Sequence, residues 1–185
     1  MDNENVSKKY ELTDEVIEYD GRILHRIKAL RDIGEVRAGT LGGYVEGECN
    51  LSHNGNAWVY GNAWVFGNAK VYGNAEVYGN AEVSGNADVS GTAEVYGNAK
   101  VYGNADYMVF KNTWSSGRWF TCFRENSGAL MWGVGCFYGT SAELIDRAYK
   151  NSKLSGDCYK AAVEMAERVL AMTKQDNDNN KEDGK

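Results

Sequence analysis

"GNAEVYGNAEVSGNADVSGTAEVYGNAKVYGNA", Gly73–Ala105, repeats one six-residue phrase. Eight valines fall on the same beat: Val59, Val65, Val71, Val77, Val83, Val89, Val95 and Val101, each with alanine two residues before and glycine two after. Because six is even, strand alternation puts the alanine and valine of every unit on one face and the residues flanking the valine on the other. Alanine and valine therefore point inward. The Gly-Asn pairs fall where the chain must turn, and both residue types tolerate the positive φ of tight corners. A strand this short is unstable alone in water. If the corners turn the same way, the chain coils and each strand pairs with the one a coil away.

The GNAxVY units, with a small residue two before an aliphatic one, resemble the bacterial transferase hexapeptide repeat over roughly residues 41–106. That resemblance implies a left-handed parallel β-helix of triangular section, with three units per coil, and it implies homotrimers. A narrower likeness covers Leu24–Ala63, "LHRIKALRDIGEVRAGTLGGYVEGECNLSHNGNAWVYGNA", which is similar to the front end of hexapeptide-repeat proteins of phages and prophages. It implies a small accessory protein rather than a housekeeping enzyme.

Outside the repeat, "VIEYDGRILHRI" reads as two strands joined by Asp20-Gly21, a strong hairpin signal. An open coil leaves unpaired backbone at its ends, so the hairpin is expected to cap the N-terminal one. "LGG", Leu41–Gly43, reads as the bend into the first coil. Beyond Ala105 the beat decays, with Tyr107 where a valine is due. "RWFTCFRE" and "MWGVGCFYG" read as strands, Thr140 and Glu143 form a capping box, and a last helix from about Ser155 is expected to bury Cys158, Ala162, Met165, Val169 and Met172. The expected fold is mainly β: a short β-helix with a hairpin cap and a ββαα C-terminal segment that caps the other end. The boundaries are 1–50 for the cap, 51–106 for the coil, 107–173 for the α+β segment and 174–185, "KQDNDNNKEDGK", for a disordered tail.

Composition narrows the partners. The formal charge of −6 argues against duplex nucleic acid, whose binding is driven by lysine and arginine displacing counterions. No apolar run approaches the roughly 20 residues of a spanning helix, and "MDNENVSKKY" lacks the order of a secretory signal, which places the chain in the cytoplasm. Cys49, Cys122, Cys136 and Cys158 have no CxxC spacing, so unpaired, mostly buried thiols are expected and no metal site. No cofactor motif is present.

Stacking by eighteen residues sorts the outward side chains into columns. Trp58, Glu76 and Glu94 share one face with Tyr60, Tyr78 and Tyr96, an aromatic ladder that reads either as an interface, between copies or with a foreign partner, or as cross-strand pairing within the coil. Trp64, Glu82 and Lys100 share the second face; Lys70, Asp88 and Asp106 the third. In "FKNTWSSGRWF", Lys111, Trp114, Arg118 and Trp119 read either as a pocket for an anionic, stackable ligand such as a nucleotide or as a hairpin with aromatics in the core. Only two histidines exist. Hexapeptide acyltransferases imply a histidine base for attack on acyl-CoA. His25 alternates with Ile23 and Ile27 and reads as structural. His53 lies where Leu51 and Val59 are eight apart instead of six, an excursion that makes it the better candidate base. Against catalysis stand the missing acceptor-binding loop and the lack of a cationic cluster for the CoA phosphates. The reading is therefore a phage-derived, non-catalytic binding protein whose partner is a host protein or a small nucleotide-like ligand, in counter-defence. An acyltransferase using His53 and a virion spacer are the alternatives.

Overall fold

A computed structural model describes residues 7–125 and 127–182. The chain divides into two units, one ending at Asn104 and the other beginning at Ala105. Hairpin cap and repeat thus belong to one unit.

The first unit opens with β1 (Tyr10–Tyr19) and β2 (Arg22–Ala29), antiparallel and joined by Asp20 (φ 49°) and Gly21 (φ 71°). Both turn residues sit in the left-handed region, which matches the strand twist of a two-residue hairpin and explains Asp-Gly there. Then come β3 (Leu41–Val45) and eight two-residue strands: Trp58–Val59 (β4), Trp64–Val65 (β5), Lys70–Val71 (β6), Glu76–Val77 (β7), Glu82–Val83 (β8), Asp88–Val89 (β9), Glu94–Val95 (β10) and Lys100–Val101 (β11). They stack in parallel on three faces: β4-β7-β10, β3-β5-β8-β11 and β6-β9. The register steps by eighteen residues, Val59 on Val77 on Val95. The repeat is a parallel β-helix.

All eight valines are fully buried, as are the alanines paired with them, so the interior is a column of small and branched side chains in contact. Corner glycines are required by position as well as conformation. Gly85 has φ 62°, and a Cβ there would come within 2.3 Å of the Tyr102 carbonyl oxygen in the coil below.

The first coil is longer. Val45 pairs with Val65 and Leu51 with Val71, a step of twenty, so the two extra residues lie between Leu51 and Val59. Its upper-edge carbonyls have no preceding coil to bond. In later coils the equivalent carbonyls accept an N–H from the coil before, as Ala75 O does from Trp58 N at 3.0 Å. At the first coil, side chains replace that donor. Lys9 Nζ donates to Ala57 O at 2.7 Å and Tyr10 Oη to Leu51 O at 2.8 Å; one coil further on, Gly67 O and Ala69 O accept from the buried Asn50 amide of the first coil at 3.1 and 2.9 Å. The hairpin completes the closure: β2 pairs antiparallel with β3, while Leu24 and Ile27 are buried over the coil. Gly42 and Gly43 lie inside β3 and do not form the expected bend. A Cβ on Gly42 would meet Ile27 Cγ1 at 2.6 Å and one on Gly43 would meet Ala63 O at 2.5 Å, so close packing beneath the cap selects glycine.

The second unit is a four-stranded antiparallel meander, β12 (Tyr107–Lys111), β13 (Trp119–Arg124), β14 (Leu130–Val134) and β15 (Phe137–Thr140), followed by α1 (Ser141–Asn151) and α2 (Lys153–Glu182). Two strands more than expected are present, because "DYMVF" stays extended after the beat fails and "MWGVGCFYG" folds back at Gly135 (φ 59°). The Thr140–Glu143 capping box forms, with Thr140 Oγ1 accepting from Glu143 N and Glu143 Oε2 from Thr140 N at 2.8 Å. The buried stripe of α2 is Tyr159, Val163, Ala166 and Leu170, packed with Phe120, Cys122, Trp132, Leu144 and Ala148. Met165 and Met172 are exposed instead, at 54% and 56%. Two stripes of this helix carry apolar residues at helical spacing, and the one with Tyr159 and Leu170 faces the sheet. Residues 174–182, expected to be disordered, continue α2 as helical backbone. Extending a nucleated helix fixes one residue per new hydrogen bond, so a polar sequence follows at small cost. The rest of that tail, 183–185, lies outside the described residues.

Candidate functional site

On the second face a single outward column crosses strands of different origin. Tyr44 in β3 pairs with Trp64, Trp64 with Glu82, and Glu82 with Lys100, while Arg26 of the hairpin pairs with Tyr44. At the usual strand spacing these five residues span about 19 Å. The tip of the hairpin leans over this column. Tyr19 packs on Trp64, ring centroids 4.9 Å apart, and edge-on to Phe66 at 5.6 Å. Arg22 lies over Phe66 and holds Glu46 at 2.9 Å, and Glu46 in turn accepts the Gly67 N–H at 2.7 Å. These contacts fix the tip.

Between tip and column lies a groove of about 550 Å³, walled by Ile17, Tyr19, Tyr44 and Trp64, with Glu82 and Lys100 on its floor and Asn62 and Asn80 along its edge. Glu82 is 7% exposed and meets Lys100 Nζ at 3.1 Å, a bond that raises the lysine pKa. The floor charges neutralise each other. Outside the wall, Tyr44 Oη donates to Glu15, which Arg26 binds at 2.7 Å and holds below the usual carboxylate range. Half-exposed rings, carboxamides and a neutral ion pair suit an uncharged ligand with a flat face and a polar edge. The lining residues include no thiol, hydroxymethyl or imidazole group; their ionisable groups are the Glu82–Lys100 pair and the phenols of Tyr19 and Tyr44. Trp64, Glu82 and Lys100 were legible as a column. Tyr19 and Tyr44 were missed, though Tyr19 immediately precedes the Asp-Gly turn and so had to stand at the tip.

The first-face ladder is not an open patch. Trp58 is fully buried, edge-on to Tyr10 at 6.3 Å, and is part of the cap; it has no surface for a partner. Tyr78 stacks on Tyr96 at 4.7 Å, with Tyr96 9% exposed, and Tyr60 meets Tyr78 edge-on at 6.4 Å. Tyr60 Oη donates to Glu76 at 3.1 Å and Tyr78 Oη to Glu94 at 3.2 Å. Burial and the neighbouring carboxylates push Tyr60 to about 12, raise Tyr78 further, and raise Tyr96 to about 12; burial also raises Glu94. The Glu76–Glu94 column is thus half-buried and bonded to tyrosines instead of freely solvated.

In the second unit Lys111 and Trp119 are cross-strand partners, the ammonium 5.5 Å from the ring centre. Trp114 points elsewhere, edge-on to Tyr159 at 5.0 Å and to Phe120 at 6.0 Å, against the helix-covered core. Arg118 is exposed near Gly135. The four residues do not converge, because adjacent positions on a hairpin point to opposite faces.

His53 belongs to the cap. Its ring stacks on Tyr10 at 4.4 Å, Nδ1 accepts the Lys9 N–H at 3.2 Å, and Nε2 is buried 3.9 Å from Glu48. An acceptor substrate cannot reach that nitrogen, and burial lowers its pKa. His25 bonds Thr13 O at 3.1 Å. Among the cysteines only Cys122 is buried, its thiol pushed to about 12, while Cys49 and Cys136 are exposed, contrary to the expectation of mostly buried thiols. Among the described residues no helix is long and apolar enough to cross a membrane. No family model and no curated protein sequence matches the chain.

Proposed function

We propose that the protein is a non-catalytic binding protein whose second-face groove holds a small uncharged ligand with a stackable ring, of nucleoside or sugar type. The observation that carries this reading is Glu82: a carboxylate buried on the groove floor, neutralised by Lys100 and flanked by Tyr19, Tyr44 and Trp64. Buried ion pairs contribute little net stability, so such a pair on an outward face is better explained by what it presents. Because Lys100 is already paired, the groove favours the uncharged part of a ligand over a phosphate. This shifts the expected anionic nucleotide toward its nucleoside portion.

The likeness of Leu24–Ala63 to phage and prophage proteins supports an accessory role in which a host-made small molecule is sequestered, as in counter-defence. Tryptophan fluorescence titrations with nucleosides, nucleotides and neutral oligosaccharides test the binding. Quenching by an uncharged member, lost in Trp64→Ala and weakened about tenfold in Glu82→Gln, is expected. Binding that survives both substitutions, or no binding across the panel, rejects the groove.

A further inference from the structure

The outer surface of α2 carries a second apolar stripe. Leu154, Met165 and Met172 are 62%, 54% and 56% exposed, and with the exposed Ala161 they recur at spacings of seven, four and seven. At 100° per residue all four fall within a narrow band on the side of the helix away from Tyr159, Val163, Ala166 and Leu170. One flank of that band is charged: Asp157, Lys160, Glu164, Glu167 and Arg168, all exposed. Asp157 is bonded to Lys153 at 2.6 Å and Tyr149 Oη at 2.8 Å, and Lys160 stands 3.9 Å from Glu164. Glu167 and Arg168 make no ion pair among the described residues.

We propose that this stripe is a homodimer interface in which α2 packs antiparallel against α2 of a second copy. A two-fold axis near Val163 matches the stripe to itself: Leu154 meets the second copy's Met172, Ala161 meets its Met165, and each contact occurs twice. In antiparallel pairing the charged flank meets its own reverse. That places Arg168 against the second copy's Asp157, a pair of opposite sign that occurs twice, while Glu164 lies nearest the axis beside the second copy's Glu164. Arg168, which makes no ion pair among the described residues, thereby gains a partner. The spacing of seven and four is that of a coiled-coil seam, so the backbones need no distortion to interdigitate. This inference concerns assembly and does not depend on the groove.

Native mass spectrometry and sedimentation of the full chain test it. The wild type is expected to be dimeric, and Met165→Lys to weaken the dimer about tenfold or more with unchanged circular dichroism, since the side chain is exposed in the monomer. Leu154→Lys serves as the second variant if Met165→Lys misfolds. Arg168→Asp alone should weaken association and Asp157→Arg added to it should restore it, because the reversed pair is again complementary. A monomeric wild type, a trimer or any other assembly insensitive to Met165→Lys and Leu154→Lys, or failure of the charge reversal to rescue, overturns the proposal.

Discussion

The ammonium of Lys9 is buried and donates to the carbonyl of Ala57 at 2.7 Å, closing the open edge of the first coil. Desolvation, with the nearby Arg31 charge, lowers its pKa from 10.5 to about 8. Between those values the unfolded chain holds the proton and the folded chain releases it, so stability rises with pH across that window. The gain is about 3 kcal/mol. Above pH ~10 the sign reverses, because Tyr60 and Tyr96 ionise near 12 when folded but near their ordinary value when unfolded. Urea titrations from pH 7 to 11 should therefore show a maximum between the two effects, and Lys9→Met should flatten the rise while keeping the decline. A wild-type curve flat through pH 8–10 contradicts this account.

His53 should titrate below its ordinary 6.5, because burial against Tyr10 opposes the charged ring more than Glu48 favours it. Its folded pKa being depressed, stability falls as pH drops through 6.5, where the unfolded state takes up the proton first. An NMR titration of the ring protons with a midpoint at or above 6.5 would be inconsistent with the observed packing.

Asn50 bonds two carbonyls, of Gly67 and Ala69, and its Oδ1 accepts the Gly47 N–H at 2.9 Å. Asn50→Leu, nearly equal in size, should cost about 2–4 kcal/mol by stranding these groups. Differential scanning calorimetry would reveal a Tm no lower than wild type if the network were dispensable.

Two corner glycines separate conformation from contact. Gly91 (φ 67°) faces open space, whereas a Cβ on Gly85 (φ 62°) would collide with the Tyr102 carbonyl. Gly91→Ala should cost about 1 kcal/mol and Gly85→Ala clearly more. Equal losses in denaturant unfolding would rule out the close coil-to-coil approach.

The coil was readable because its signal is local and repeated. Val59 to Val101 announce an inward column, and the glycines announce the corners. The hairpin was readable from Asp20-Gly21 for the same reason, as was the α1 cap from Thr140 and Glu143. The second α2 stripe shows the limit: Met165 and Tyr159 each satisfy a helical period, and sequence alone does not choose between them. Trp58 shows it again, because a position that is outward in the coil becomes interior once Tyr10 lies against it. The groove needed both the column at Trp64 and Glu82 and a tyrosine forty-five residues upstream of Trp64, brought together by the hairpin.

The amino-acid order by itself determined the winding, since a six-residue period with two inward side chains leaves the backbone one economical way to bury them. Only the tertiary structure decided which outward residues stay exposed, because burial there depends on distant segments folding over the coil. It therefore also decided that Trp58 and His53 support the cap while Tyr19, Trp64 and Glu82 form a groove.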